Sequence, residues 1–213
     1  MAKLFVEQGA DVNGQDNDGL TPLITAASEG DQEMVELLVE ELGADVNGQG
    51  EDGSAPLPAA VLKCNQKVAE FLIKRGANVN IRNKKGLTAL YIAVFVIPIF
   101  DNDHKMAEFL IKKGADVNVE TKNGLSPLTY TIFKGRLSTV KFHIGNGAKV
   151  SARDWSGVKD PEIRGYFSKI KRFFDLIKCD SKASNVCSEK EIINLFEENP
   201  EFLIINFRLV SFL

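Results

Sequence analysis

Histidine and cysteine are scarce in this sequence, and neither occurs in a motif that supports catalysis or metal binding. The chain of 213 residues holds two histidines and three cysteines. His104 and His143 form no H-x-x-x-H pair, and the cysteines form no CxxC pair. A phosphate-cradling glycine loop and a nucleophile elbow are absent as well. We therefore predict a protein that is not an enzyme and that uses no cofactor or metal.

Segments that would direct the chain to a membrane or a secretory route are also missing. The apolar run from Ala93 to Phe100 has eight residues, far fewer than the about 20 that a transmembrane helix needs. The first residues lack a cationic region followed by an apolar stretch, so no secretory signal is predicted. An odd number of unpaired cysteines is typical of a reducing compartment. We predict a cytoplasmic protein without a membrane span, and export by an unrecognised route stays open.

The net charge of −3 conceals a strong separation of charge along the chain. Residues 1–60 carry 13 acidic side chains and 1 basic one, whereas residues 61–150 carry 6 acidic and 15 basic ones. Because residues 1–60 are strongly acidic, we do not expect the basic residues 61–150 to bind nucleic acid. Opposite charges on one chain also leave charge-driven self-association open as an alternative function.

Two sets of similar segments recur along the chain. The segments GLTPLITAA, GSAPLPAAV, GLTALYIAV and GLSPLTYTI begin at Gly19, Gly53, Gly86 and Gly124. The segments EELGADVN, IKRGANVN, IKKGADVN and IGNGAKVS place their GA glycines at Gly43, Gly76, Gly114 and Gly147. Neighbouring copies lie 33 to 38 residues apart. In both period and motif the chain resembles the ankyrin repeat, whose unit is a β-turn followed by two antiparallel helices.

The resemblance implies an all-α solenoid of helix-turn-helix units joined by β-turn or hairpin loops, with an extra helical segment at the C-terminal end. It implies a partial repeat at 1–15, full repeats at 16–49, 50–82, 83–120 and 121–153, a degenerate capping repeat at 154–180, and a linker with an apolar helical tail at 181–213. Because the partial repeat lacks an opening helix, we expect that end to fray, to self-associate or to belong to a longer ankyrin protein.

Local residue chemistry predicts the helix boundaries independently. Thr21 can cap a first helix that has Pro22 in its first turn, and Asp31 can cap the second helix of the same unit. At the other end, Asp160 and Pro161 are a typical helix start. The spacing of Ile163, Phe167, Ile170, Phe173, Phe174 and Ile177 then predicts one buried face.

The chain departs from the family pattern at several positions. The residue after the TPL motif is usually histidine in the family, and here the equivalent residues are Ile24, Pro58, Tyr91 and Thr129. We therefore expect weaker coupling between units. Cys64 replaces the glycine between the helices of the second full repeat, and the first full repeat has one extra residue near Leu42. His143 takes the place of a core leucine, which predicts a partly buried structural histidine, whereas His104 is expected to be solvated.

Two apolar segments leave alternatives open. About five extra residues, Ile97–Asp101, enlarge the turn of the third full repeat. They either cover a neighbouring turn or form an exposed bulge offered to a partner. The final segment FLIINFRLVSFL either packs on the end of the solenoid, binds a partner or touches a membrane. Helix and strand are both open for residues 201–213.

The resemblance further implies a concave binding face made of turn tips and first helices. Its variable helix positions include Ser28 and Leu62. The repeats rich in lysine and phenylalanine then predict a site for an acidic and apolar protein segment. Its residues are Lys84, Lys85, Phe95, Val96, Lys122, Asn123, Phe133, Lys134 and Trp155. The competing interpretation is that the lysines only solvate the surface while the phenylalanines pack between helices. We predict a non-catalytic protein-interaction module; the alternative is charge-driven self-association as an assembly element of a longer ankyrin protein.

Overall fold

A computed structural model describes residues 2–95, 105–150, 154 and 158–179. Within these ranges the chain forms helices and turns, with no strand, so the all-α prediction is confirmed. The predicted site residues Val96 and Trp155, the side chain of Phe95, the Ile97–Asp101 insertion, His104 and the tail at 181–213 lie outside the described residues. No described helix is long and apolar enough to cross a membrane.

The helices follow one another in pairs, and the chain divides into unit 1 (Met1–Ser126) and unit 2 (Pro127–Leu213). Unit 1 contains α1 (Ala2–Glu7), α2 (Pro22–Glu29), α3 (Gln32–Glu36), α4 (Pro56–Leu62), α5 (Gln66–Lys74), α6 (Ala89–Phe95) and α7 (Lys105–Lys112). Unit 2 contains α8 (Pro127–Phe133), α9 (Leu137–Gly145) and α10 (Pro161–Cys179).

Capping side chains start the helices of the first full pair where the sequence predicts. The hydroxyl oxygen of Thr21 accepts a hydrogen bond from the backbone N–H of Ile24 at 3.3 Å, with Pro22 as the first residue of α2. The carboxylate of Asp31 accepts from the N–H of Met34 at 3.0 Å and starts α3. Each cap satisfies a donor that the first helical turn leaves without an intrahelical partner.

The first helices of successive pairs stack on one another and form the core of unit 1. Helix α4 contacts α2 on one side and α6 on the other, and each of the three packs on its own second helix. Leu23, Leu57 and Leu90 hold equivalent places in the stack and are each 1% exposed. Buried alanines such as Ala27 and Ala60 let neighbouring helices approach closely.

The extra residue predicted near Leu42 is absorbed by a π-helical turn. Residues Leu37–Glu41 continue α3 as a π-helix, in which each N–H bonds to the carbonyl oxygen five residues back. The N–H of Leu42 accordingly donates to the carbonyl oxygen of Leu37 at 3.2 Å. The N–H of Ala44 then donates to Leu38 at 2.8 Å. A one-residue insertion into a helix commonly produces such a turn, and here the Gly-Ala turn that follows keeps its geometry.

Cys64 adopts the left-handed backbone conformation of the glycine that it replaces. Its φ is +59°, and Cys64 is the one non-glycine residue with a positive φ in the described ranges. Gly30 and Gly135 stand at equivalent turns with φ of +78° and +67°. A Cβ atom is disfavoured in this region by about 1–2 kcal/mol. The second helix pair therefore holds a strained turn that its neighbours relieve with glycine.

Asparagine side chains link successive repeats through the loops that follow the second helices. The Oδ1 atom of Asn13 accepts from the N–H of Asp45 at 2.8 Å, and that of Asn47 accepts from Asn78 at 2.7 Å. Asn80 does the same for Asp116 at 2.8 Å. Each bond joins residues about one repeat apart, so the ladder holds consecutive loops in register.

Unit 2 repeats the paired arrangement and adds the long helix α10. The carboxylate of Asp160 accepts from the N–H of Ile163 at 3.1 Å and starts α10 at Pro161, as predicted. Ile163, Phe167 and Ile170 are buried, so the described part of the predicted face is confirmed. The side chains of Phe173, Phe174 and Ile177 lie outside the described residues.

Two buried polar groups of unit 2 are held by hydrogen bonds. The hydroxyl of Thr129, at a position where the family usually has histidine, donates to Oδ1 of buried Asp154 at 2.7 Å. His143 is 0% exposed, which is deeper than the partial burial predicted for it. Its Nδ1 donates to the carbonyl oxygen of Thr139 at 2.7 Å. The histidine is thus a structural residue of the core.

Candidate functional site

The turn tips of unit 1 are joined to one another by backbone hydrogen bonds. Each tip closes on itself first; for example, the N–H of Asn83 donates to the carbonyl oxygen of Leu87 at 3.1 Å. The N–H of Lys84 then donates to Asp52 of the preceding tip at 3.0 Å, and the N–H of Lys122 donates to Lys85 at 3.2 Å. These bonds place three tips side by side: Glu51–Asp52, Lys84–Lys85 and Lys122–Asn123.

Glycines permit this close approach. Gly53 and Gly86 have φ of +79° and +80°. An added Cβ would lie 2.8 Å from the backbone nitrogen of Lys84 at Gly53, and 2.9 Å from that of Lys122 at Gly86. A side chain at either position would push the tips apart. The recurring glycine of the sequence motif is therefore a spacing requirement of the tip row.

The tip row and the first helices enclose a groove of about 680 Å³ in unit 1. Its floor is made of buried and half-buried apolar residues: Leu20, Ile24, Pro58, Ala59, Leu87, Tyr91, Ile92 and Leu125. Its rim carries the exposed residues Asp52, Leu62, Lys84, Lys85, Lys122 and Asn123. We call this surface the groove.

The groove has a basic rim with one acidic residue at its edge. Lys84, Lys85 and Lys122 are exposed and form no ion pair with another residue in the described part of the chain. The Ser54 hydroxyl and the Ser54 backbone N–H, the latter 2.7 Å from Oδ1 of Asp52, hold the pKa of Asp52 below its ordinary value. The positive charge of Lys84 adds a smaller effect in the same direction. The three lysines are thus available to a ligand carboxylate.

The described site residues that the sequence predicts belong to unit 1 or to unit 2. Lys84, Lys85, Lys122 and Asn123 meet in the groove, together with the predicted helix positions Ser28 and Leu62. Phe133 and Lys134 belong to unit 2, where they line a cavity of about 340 Å³ with Ile132, Gly135, Lys159 and Asp160. Phe133 is 58% exposed, so the interpretation that it packs between helices is wrong. Lys134 lies over the ring of Tyr130, with 5.5 Å between its Nζ atom and the ring centroid.

A second cleft of unit 1, of about 530 Å³, is acidic. Asp11, Asp16, Glu29 and Asp31 line it together with apolar atoms of Leu20, Pro22, Ala26 and Met34. It contains no lysine or arginine. The charge separation of the sequence thus appears on the surface of unit 1 as an acidic cleft and a basic groove.

The floor of the groove is the part that sequence reasoning missed. Ile24, Pro58 and Tyr91 stand at the position after the TPL motif, where the sequence departs from the family's histidine. That departure was a usable signal, because isoleucine, proline and tyrosine, which are less polar than histidine, take its place in three consecutive repeats.

The arrangement offers binding surfaces rather than a set of converging reactive groups. The groove contains no histidine or cysteine. In the part of the chain that the structure describes, no three residues among histidine, cysteine, aspartate and glutamate cluster as metal ligands would. What the groove can do chemically is to bury apolar side chains and to pair carboxylates with lysines.

Comparison with known families gives one result. The family model described as ankyrin repeats (3 copies) matches residues 1–83 and 75–154. The matched range includes all the helices from α1 to α9 and ends before α10. No curated protein matches the sequence significantly.

Proposed function

The chain belongs to the ankyrin-repeat family, whose members generally act as protein–protein interaction modules, and we propose that its groove binds a partner protein segment bearing acidic and apolar side chains. The observation that carries the proposal is the pairing of an apolar floor with three exposed lysines that lack an ion-pair partner among the described residues. The groove is the binding site, and the role is non-catalytic.

The two parts of the groove supply different components of binding. Burial of a partner's leucine or phenylalanine on the floor contributes about 25 cal/mol per Å² of apolar surface removed from water. The rim lysines attract carboxylates and speed the encounter, and they also oppose basic segments. The combination selects for a segment that is both apolar and acidic, because neither property alone uses the whole groove.

The proposal includes a reducing compartment such as the cytoplasm. Cys64 is free and exposed, and an exposed thiol is typical of proteins that are kept reduced. The typical behaviour of the family supports a binding role without catalysis.

A direct test uses a fluorescent peptide of alternating leucine and glutamate as the probe. Fluorescence anisotropy of the full chain should show saturable binding, and the double variant Lys84→Glu/Lys85→Glu should weaken it about tenfold or more. Each exposed ion pair contributes about 0.2–1 kcal/mol, and 1.4 kcal/mol corresponds to a factor of ten. A peptide of alternating leucine and lysine should bind poorly to the wild type and better to the double variant.

Lys67→Glu/Lys74→Glu is the matched control. Both lysines are exposed on α5 in the same unit, and neither lines the groove, so the change in net charge is the same while the groove is intact. The control should bind the acidic peptide as the wild type does. Equal weakening by both double variants would mean that net charge alone attracts the peptide, and the groove proposal would fail.

The predicted residues of unit 2 form a second contact in the proposal. The exposed ring of Phe133 and the neighbouring Lys134 offer the same combination of apolar and basic chemistry. Phe133 does not line the groove, so Phe133→Ala should leave binding of the leucine–glutamate peptide unchanged. A loss of peptide binding in this variant would mean that Phe133 contributes to the same site.

A further inference from the structure

The rim of the groove carries its charges in a fixed order along the row of turn tips. Asp52 lies at one end of the rim, Lys84 and Lys85 come next, and Lys122 follows. The backbone hydrogen bonds from Lys84 to Asp52 and from Lys122 to Lys85 fix this order. All four side chains are exposed. A ligand that lies along the row therefore meets one carboxylate at one end and three ammonium groups in the centre and at the other end.

The carboxylate of Asp52 is charged at neutral pH and available to a ligand. The hydroxyl and the backbone N–H of Ser54 hold the pKa of Asp52 below its ordinary value. Asp52 forms no ion pair with another residue in the described ranges. Glu51, in the same turn tip, is also exposed. This end of the rim therefore attracts a cation and opposes a second carboxylate.

An apolar floor runs beside both the acidic and the basic tips. Ala59, Ile92 and Leu125 line the groove and are half-buried, so each keeps apolar surface that a ligand can cover. They belong to three successive repeats, and each repeat also supplies one of the charged tips. A ligand can therefore bury apolar side chains at every step along the row while its charged side chains face the tips.

The length of the row sets the spacing of the ligand's charges. Two backbone hydrogen bonds and the peptide between Lys84 and Lys85 separate Asp52 from Lys122. Backbones joined by such bonds lie about 5 Å apart, and neighbouring Cα atoms are about 3.8 Å apart, so the row is about 10–15 Å long. An extended chain rises about 3.3 Å per residue, so about five residues cover the row. Alternate side chains of such a segment point to opposite sides and can face the rim and the floor in turn.

We propose that the groove takes an extended partner segment with a lysine or arginine at one end, carboxylates in the centre and at the other end, and apolar side chains between them. The cation pairs with Asp52, and the carboxylates pair with the lysines of the rim. The order matters, because a cation at the centre of the segment would face Lys84 and Lys85. The inference rests on the proposed function, since it states the charge order of a ligand for the same groove.

Three isomeric peptides with blocked ends test the order of charges: KLELE, ELELK and ELKLE. They have the same composition and net charge, and the first two cover both possible chain directions. Unlabelled, each competes with the fluorescent leucine–glutamate peptide for the full chain. The better of KLELE and ELELK should displace the probe at an about three- to tenfold lower concentration than ELKLE, because its lysine gains a carboxylate partner and avoids Lys84 and Lys85. Equal displacement by all three, or the tightest binding by ELKLE, overturns the inference.

Asp52→Asn tests the contact at the acidic end. Asparagine keeps an acceptor for the N–H of Ser54, as Asn83 shows at the next tip, where its Oδ1 accepts from the N–H of Lys85 at 3.0 Å. In this variant the advantage of the end-lysine peptide over ELKLE should fall about twofold or more, because an exposed ion pair is lost. An unchanged advantage overturns the inference.

Glu70→Gln is the matched control, because it removes the same charge from the same unit. Glu70 is exposed on α5 and does not line the groove, so the ranking of the three peptides should be that of the wild type. An equal fall in Glu70→Gln and Asp52→Asn would mean that net charge sets the ranking, and it would overturn the contact with Asp52.

The same measurements separate this inference from the proposed function. If the leucine–glutamate peptide binds and depends on Lys84 and Lys85, but the three isomers displace it equally, the groove binds acidic and apolar segments without reading their order. That result overturns the charge order alone. If the leucine–glutamate peptide does not bind, both the proposed function and the charge order are overturned.

Discussion

The acidic and the basic turn tips of unit 1 are joined by backbone hydrogen bonds of the same kind and carry opposite charge. At the acidic end, the N–H of Glu51 donates to the carbonyl oxygen of Gly19 at 2.9 Å; at the basic end, the N–H of Lys122 donates to Lys85 at 3.2 Å. The side chains between them change from Asp18, Glu51 and Asp52 to Lys84, Lys85 and Lys122. Glycine and the backbone bonds therefore set the geometry of the row, whereas the exposed side chains set its charge.

The largest expected effect on stability comes from replacing the glycines at which neighbouring turn tips approach each other. An added Cβ would lie 2.4 Å from the Cβ of Glu51 at Gly19 and 2.9 Å from the nitrogen of Lys122 at Gly86. Gly19→Ala and Gly86→Ala should each lower the free energy of unfolding by about 2–4 kcal/mol, because strain at positive φ and a steric clash add. Urea unfolding followed by circular dichroism measures the loss.

Gly114→Ala separates the two components of that loss. Gly114 has φ of +92°, but a Cβ there would meet no atom within 4 Å. Its replacement should cost only the backbone strain, about 1–2 kcal/mol. If Gly114→Ala destabilises the protein as much as Gly86→Ala does, the close approach of the tips contributes nothing, and the shared geometry comes from glycine conformation alone.

Much of this shared scaffold was predictable because its chemistry is local. Thr21 with Pro22, and Asp31 three residues before Met34, identify helix starts from the chain alone. The hydrogen-bond partners of the recurring asparagines do not follow from the sequence in the same way. Their bonds join residues about 30 positions apart, for example Asn47 and Asn78, and such pairs depend on how closely successive loops stack.

The candidate site was predictable in part for the same physical reason. The exposure of Lys84, Lys85 and Lys122 is predictable, because each precedes a repeat glycine and therefore lies at a turn tip. The departure from the family's histidine marks Ile24 and Tyr91 in the sequence, but the stacking of neighbouring first helices decides that these side chains line the groove.

A smaller effect on stability is expected at Cys64, the one described turn between paired helices that has no glycine. Cys64→Gly removes the Cβ from a left-handed residue, and the relief of strain stabilises the folded state by about 1–2 kcal/mol. It also raises the conformational entropy of the unfolded chain, which destabilises the folded state by about 0.4–1 kcal/mol. The free energy of unfolding should therefore rise by about 0.5–1 kcal/mol, measured by thermal or urea unfolding under reducing conditions. Cys64→Ser keeps the Cβ and should change little; an equal gain from serine would assign the effect to the thiol.

The smallest expected effect lies at Asp52, where the acidic tips meet the basic ones. The Ser54 hydroxyl, together with the Ser54 backbone N–H that donates to Oδ1 of Asp52, holds the pKa of Asp52 below its ordinary value. The unfolded chain therefore takes up this proton at a higher pH than the folded chain does. The ionised carboxylate stabilises the tip above the unfolded pKa, and its contribution is lost as the pH falls through the folded pKa.

Ser54→Ala should raise the pKa of Asp52, as measured by NMR titration of its carboxyl carbon. Lys84→Met should raise it less, because the charge of Lys84 has the smallest of the effects that lower this pKa. A larger rise from Lys84→Met would show that the acidic and basic tips are coupled by charge, and the backbone would then not be the only link between the two halves of the row.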